Sequence, residues 1–132
     1  MQIKNEKPPI WDEAQKHFDI DHDRTVYTYG DTIYNPAGLN LPQEIVEHES
    51  VHMEQQSQMG PEAWWRQYFE NPDFRFHEEA EAYRYQHYYY CTQQLDRNKR
   101  ARHLHLLASI LSSSMYKTGR SQREALEAIR GN

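Results

Sequence analysis

Between Pro42 and the Gly60-Pro61 pair, one regular conformation fits the chain best. Proline sits well in the first turn of a helix, where its missing N–H costs nothing. A Gly-Pro pair ends one helix and opens another. The spacing predicts a helix over about Pro42 to Met59, and in its middle stands His48-Glu49-Ser50-Val51-His52, the pattern H-E-x-x-H. Residues four apart lie one turn apart on the same helical face. Both imidazoles can therefore aim one nitrogen at a common point. Zinc takes nitrogen ligands at about 2.0–2.1 Å, and a hydrolytic site keeps three protein ligands and one open position. Two histidines are not enough, so a second element must cross this helix and bring a third ligand. Glu49, beside the first histidine, projects next to the metal, where the pattern uses it as general base. The competing reading is two partly exposed helix histidines without a metal, in a chain holding eight histidines.

The carboxylates that could complete the set cluster downstream in "HEEAEAY", at Glu78, Glu79 and Glu81. Two histidines and a carboxylate make a hydrolytic rather than a structural zinc set. Adjacent residues turn about 100° on a helix, so Glu78 and Glu79 cannot face one ion equally. Glu79 is preferred, with Ala82 and Tyr83 sharing its face. Arg75, Tyr83, His87 and Tyr90 follow the same helical spacing. From these, Tyr83, Arg75 and His87 are candidates for supporting the ligands or binding substrate, and the oxyanion donor stays unassigned. His77 reads as a first-turn surface residue, and His103 and His105 are not expected to be ligands.

The remaining elements follow local signals. "IWDEAQKHF" is a short helix through Trp11, Ala14 and Phe18. "DIDHD" resembles a calcium loop but places Arg24 where the sharp turn needs Gly, and Gly30 where the loop needs Glu. Thr25–Tyr29 and Thr32–Tyr34, rich in β-branched and aromatic residues around Gly30-Asp31, predict a hairpin. A hairpin edge beside the cleft would suit an extended substrate. "PEAWWRQYFE" lines up Trp64, Trp65, Tyr68 and Phe69 as core, with one ring at the cleft, and Asn71-Pro72 stops that helix. Helices follow over about Phe74 to Leu95 and over "RHLHLLASILSSSMY". Ser121 and Glu124 form a capping box that opens a last one. The expected fold is α+β and mostly α-helical: one domain over 1–132, a short antiparallel β-hairpin packed on a bundle of five to six helices.

"HESVH" followed by "EEAEAY" resembles the gluzincin group of zinc metallopeptidases, in which a Glu on a following helix completes H-E-x-x-H. Glu79-Ala80-Glu81-Ala82 matches the E-x-x-A form of that second motif, so the resemblance implies that Glu79 is the third ligand. From Tyr29 to Gln86 the chain looks like small, single-domain, metallopeptidase-like proteins common in bacteriophage genomes. It departs at Tyr83, where many gluzincins have an Asp that holds a ligand histidine by its other ring N–H. A phenol oxygen accepts that bond more weakly. The distance from His52 to Glu79 is also longer than in compact gluzincins, and the helix over Pro61 to Glu70 accounts for the extra length. The resemblance implies a zincin-like fold, Zn²⁺ at His48, His52 and Glu79, Glu49 as general base, and a peptide or protein substrate.

Composition narrows the alternatives. A mean hydropathy of −1.09 is very low, yet aromatics reach 13% with ten Tyr. Disordered chains are poor in aromatics, so a folded core is expected. A net charge of −5 gives no basic field for nucleic acid, and the run Arg97 to Arg102 reads as a solvated helix junction. One cysteine, Cys91, permits no internal disulfide and reads as a small buried hydrophobe. No signal or membrane segment is visible, so a cytoplasmic protein, monomeric and away from membranes, is expected. Two other readings are a zinc-containing, non-proteolytic phage protein that binds a host or virion partner, and a zinc amidase of cell-wall peptides. A metal-free helical interaction domain is a third.

Overall fold

The computed structural model describes residues 1–131. Three short strands are β1 (Gln2–Lys4), β2 (Tyr27–Tyr29) and β3 (Thr32–Tyr34). Six helices are α1 (Trp11–His17), α2 (Gln43–Met59), α3 (Pro61–Glu70), α4 (Pro72–Gln93), α5 (Arg97–Leu111) and α6 (Gln122–Arg130). The mostly helical α+β architecture expected from the sequence is the one observed.

The predicted hairpin forms, with Tyr29 opposite Thr32 and Gly30-Asp31 as its two-residue turn. Gly30 has φ 64°, a conformation that costs glycine nothing. β1 was not foreseen. It joins the far side of β3 in parallel, pairing Gln2 with Thr32, so the strand order is β1-β3-β2. All three of its residues are exposed, so it lacks the half-buried alternation that marks a strand in sequence. β2 is the outer strand on the other side and lies against α2.

Helix boundaries follow the punctuation. Gly60, at φ 89° and ψ 145°, makes the corner between α2 and α3, in a region of backbone space that is essentially glycine's alone. Asn71 accepts hydrogen bonds from the N–H groups of Asp73 and Phe74 and so starts α4 two residues before its expected onset. Asp96 caps α5 in the same way, which places the basic run inside the helix rather than at a junction before it. The Ser121–Glu124 capping box forms with both of its bonds.

Two cores result. Phe18, Tyr27, Trp64, Trp65 and Tyr68 gather between α1, the sheet and α3. Phe76, Leu107, Leu111, Ala125 and Ile129 gather between α4, α5 and α6. Helix α2 crosses α4 where the two cores meet: the His52 ring lies 5.2 Å from Trp64, and the His48 ring 4.5 Å from Tyr83.

Candidate metal centre

His48, Glu49, His52 and Glu79 are between 4% and 8% exposed. Burying four polar side chains of this kind is costly unless each is paired. The pairing is dense. Nε2 of His48 lies 3.2 Å and Nε2 of His52 3.0 Å from Oε1 of Glu79. The three donor atoms lie within 4.8 Å of one another. Ligand atoms about 2.05 Å from a tetrahedral ion stand about 3.3 Å apart, so the observed separations are those of a ligand triangle. The group of His48, His52 and Glu79 could hold a metal ion.

The outer ring nitrogens prepare the inner ones. Gln55 Nε2 donates to the Glu78 carbonyl at 3.0 Å and to Glu81 Oε1 at 3.1 Å. Both partners only accept, so the orientation of the Gln55 amide is determined. Its Oε1 then accepts from Nδ1 of His52 at 2.8 Å. Neutral His52 must carry its proton on Nδ1 and offer a bare Nε2 to the centre. Gln86 Oε1, 2.9 Å from Nδ1 of His48, plays the same part for the other ring. Tyr68 donates its hydroxyl to Oε2 of Glu79 at 2.5 Å. Oε1 is the oxygen turned towards both imidazoles.

Charge follows from this geometry. Burial alone would lower the pKa of His52, but the charge of Glu79 and its hydrogen bond outweigh burial and lift it to about 9. Burial alone would raise Glu79, but His52 and His48 outweigh burial and hold it well below the usual carboxylate range. Without a metal the centre is therefore a buried ion pair, and a cation can take the place of its proton. Burial first, then the charge of Glu79, keep the Tyr68 hydroxyl protonated far beyond its ordinary range.

Glu49 stands at the edge of the triangle. Its Oε1 accepts from Thr28 Oγ1 at 2.9 Å, and its Oε2 lies 3.8 Å from Nε2 of His48. A cavity of about 90 Å³ opens on His48, Glu49, His52 and Glu79. Its other walls are chiefly apolar: Phe18, Ile20, Tyr27, Trp65 and Met115.

Several expected roles change. The Tyr83 hydroxyl is bonded to that of Tyr116 at 2.6 Å, so Tyr83 packs on His48 without holding its nitrogen. Arg75 is buried but donates to the carbonyls of Tyr68, Tyr116 and Lys117, bracing the chain behind the centre. His87 lies outside the site, with Nδ1 2.9 Å from Nδ1 of His103 and Nε2 3.4 Å from Cys91 Sγ. Cys91 is half-buried rather than buried. Glu78 turns aside and accepts from Trp64 Nε1 at 2.9 Å, which leaves the ligand position to Glu79. His77 is exposed, as expected, and His103 bonds Glu44 instead of joining the cluster. Trp64, Trp65 and Tyr68 all face the cavity, where one ring was expected.

The β2 edge is not open where it passes the site. Thr28, opposite Ile33, turns its carbonyl away from β3 and accepts from Gln56 Nε2 at 2.8 Å and Trp65 Nε1 at 2.9 Å. Gln56 Oε1 accepts from the Gly30 N–H at 2.8 Å. The side-chain amide of Gln56 thus occupies the edge as a peptide unit of another strand would.

Sequence reasoning missed Gln55, Gln86, Tyr68 and Thr28 as supports. Two were within its reach. Gln55 is three residues beyond His52 and Gln86 seven beyond Glu79, both spacings that share a helical face. Comparison with protein-family models, with curated proteins and with solved structures finds no match for this chain.

Proposed function

We propose that this protein is a zinc-dependent hydrolase of amide bonds, of the metallopeptidase kind that the H-E-x-x-H and E-x-x-A motifs suggest. His48, His52 and Glu79 hold the zinc, and Glu49 is the general base. Zinc suits two imidazoles and a carboxylate in tetrahedral array. When bound, it supplies Lewis acidity, bringing the pKa of water towards about 7 and polarising a carbonyl. Glu49 takes the proton of the attacking water and delivers it to the leaving amine. Thr28 holds Oε1 of Glu49, which fixes the carboxylate for that transfer. Gln55 and Gln86 keep both ring tautomers in the ligand form, and Tyr68 holds Oε2 of Glu79.

The observation that carries this reading is the cavity of about 90 Å³ against the ligand set, with Glu49 on its wall. A purely structural zinc has all four positions filled by protein, whereas here three residues would hold the ion and a cavity adjoins them. The test is Glu49→Gln. It should keep one zinc per chain by elemental analysis and lose about 10²–10⁴-fold in turnover. Wild-type turnover in that variant would end the hydrolase reading. His52→Ala should lose the zinc itself.

A second reading is a zinc that serves stability in a protein that binds a partner, and the deep burial of the four residues favours it. Chelation separates the two. A zinc that holds the fold together lowers the melting temperature greatly when removed, whereas a catalytic one leaves the fold close to intact. Among the described residues no helix is long and apolar enough to cross a membrane.

A further inference from the structure

The cavity beside the candidate metal centre is small, about 90 Å³. A peptide added to a sheet edge bonds through the edge's own N–H and C=O groups. Along the β2 edge, next to the centre, the Thr28 carbonyl is already taken by Gln56 and Trp65, and the N–H of Gly30, at the turn, by Gln56. Gln56 is fully buried, at 0% exposure. Displacing its amide would strand a buried donor and acceptor without partners. Polar side chains elsewhere on the wall are engaged too: Thr25 Oγ1 donates to the Asp21 carbonyl at 2.7 Å. His22, on its wall, has Nε2 2.8 Å from the Phe18 carbonyl, and its Nδ1 is bonded to the Tyr27 hydroxyl. The volume of about 90 Å³ is below the roughly 150 Å³ of an apolar cavity that admits benzene. Ile20, Thr25, Val26 and Met115 are the wall residues that reach solvent and so form its mouth.

We infer that Gln56, with Trp65, closes the strand edge to extended polypeptides, and that the cavity admits short amides carrying one small aliphatic group beside the bond to be cut. This rests on the hydrolase reading and names its substrate class. Gln56 is then a specificity-determining residue, because it takes the place on β2 that a longer substrate would need.

Alkyl hydroxamic acids test this without turnover, since the hydroxamate chelates zinc while the alkyl tail probes the cavity. Calorimetric titration of the zinc-loaded wild-type protein compares aceto-, butyro- and octanohydroxamic acids with an extended pentapeptide hydroxamate. Two added methylenes buried in the cavity raise affinity roughly tenfold from aceto- to butyrohydroxamic acid. The octano and pentapeptide compounds should bind at least tenfold more weakly than the butyro compound. A pentapeptide hydroxamate that binds tenfold more tightly than the butyro compound overturns the inference, as does affinity independent of tail length. Hydrogen exchange of the Gly30 amide gives a readout that needs no metal. It should be slow in the metal-free protein and unchanged by the parent pentapeptide, and new protection along Val26–Gly30 would show the edge in use. The expected affinity order in a protein that hydrolyses no amide at all would count against the hydrolase reading and leave this size limit standing. No binding by any hydroxamate would sink both.

Discussion

The aromatic core under the sheet and the core between α4, α5 and α6, where aliphatic side chains pack around Phe76 and Tyr83, both bury their side chains, but only the first brings hydrogen-bonding atoms to the candidate metal centre. Trp65 donates to Thr28, Trp64 to Glu78 and Tyr68 to Glu79. Leu107, Leu111 and Ile129 have nothing to donate. Large rings bring a polar tip into a buried place, and Phe18, Tyr27, Trp64, Trp65 and Tyr68 line the cavity. Aliphatic side chains interdigitate and fill space. One core therefore builds a site, and the other holds α4 so that Glu79 meets the histidines. A chain this poor in aliphatics can be stable and still be polar inside, because its rings supply both area and hydrogen bonds.

The division can be broken from either side. Leu111→Ala, at a fully buried position, should cost about 2–5 kcal/mol of stability. Zinc stoichiometry in the folded fraction should not change. Urea denaturation with parallel zinc analysis checks both halves, and a loss of zinc from the folded protein would erase the distinction. Tyr68→Phe works from the other side. It keeps the ring but removes the donor to Glu79 Oε2, a hydrogen bond to a charged group worth about 1.5–3 kcal/mol. Zinc affinity should fall while the ring packing around Trp64 and Trp65 persists in near-ultraviolet circular dichroism.

Gln55→Leu is a finer cut. It frees Nδ1 of His52 and should weaken zinc about 10–100-fold, with nitrogen NMR showing mixed His52 tautomers. An unchanged affinity would mean that Gln55 does not set the ring. The smallest step is in pH. His52 in the metal-free protein keeps its proton up to about pH 9, and zinc must displace it. Affinity should climb about tenfold per pH unit and level off near pH 9. Zinc titrations at pH 7 in buffers of different ionisation heat should register that proton leaving. The sign for the metal-free fold is the opposite. The raised pKa contributes stability that is complete below the unfolded histidine value of about 6.5 and is lost as pH rises through the folded value.

Much of the helical scaffold was legible because its signals are local. Pro42, Gly60-Pro61, Asn71-Pro72 and the Ser121–Glu124 box act within one or two turns. β1 was not, since its only claim to strand structure is a partner at the other end of the hairpin. Tyr83 shows a subtler limit. Its place on the Glu79 face was readable, but its hydroxyl bonds Tyr116, which arrives from beyond α5. Gln86 does the work expected of Tyr83, and His87, about 100° further round the helix, faces α5 instead.

By itself the sequence determined that His48 and His52 share a face and that Glu49 stands beside them, because four residues are one helical turn whatever surrounds them. It also favoured Glu79 over its neighbour Glu78 as the carboxylate to join them. The crossing of α2 over α4 brought Glu79 to the two imidazoles, turned Glu78 to Trp64, placed Gln55 and Gln86 behind the rings, and laid Gln56 along β2. Those outcomes depend on how side chains from distant segments pack, and spacing along one helix carries no record of what its faces will meet.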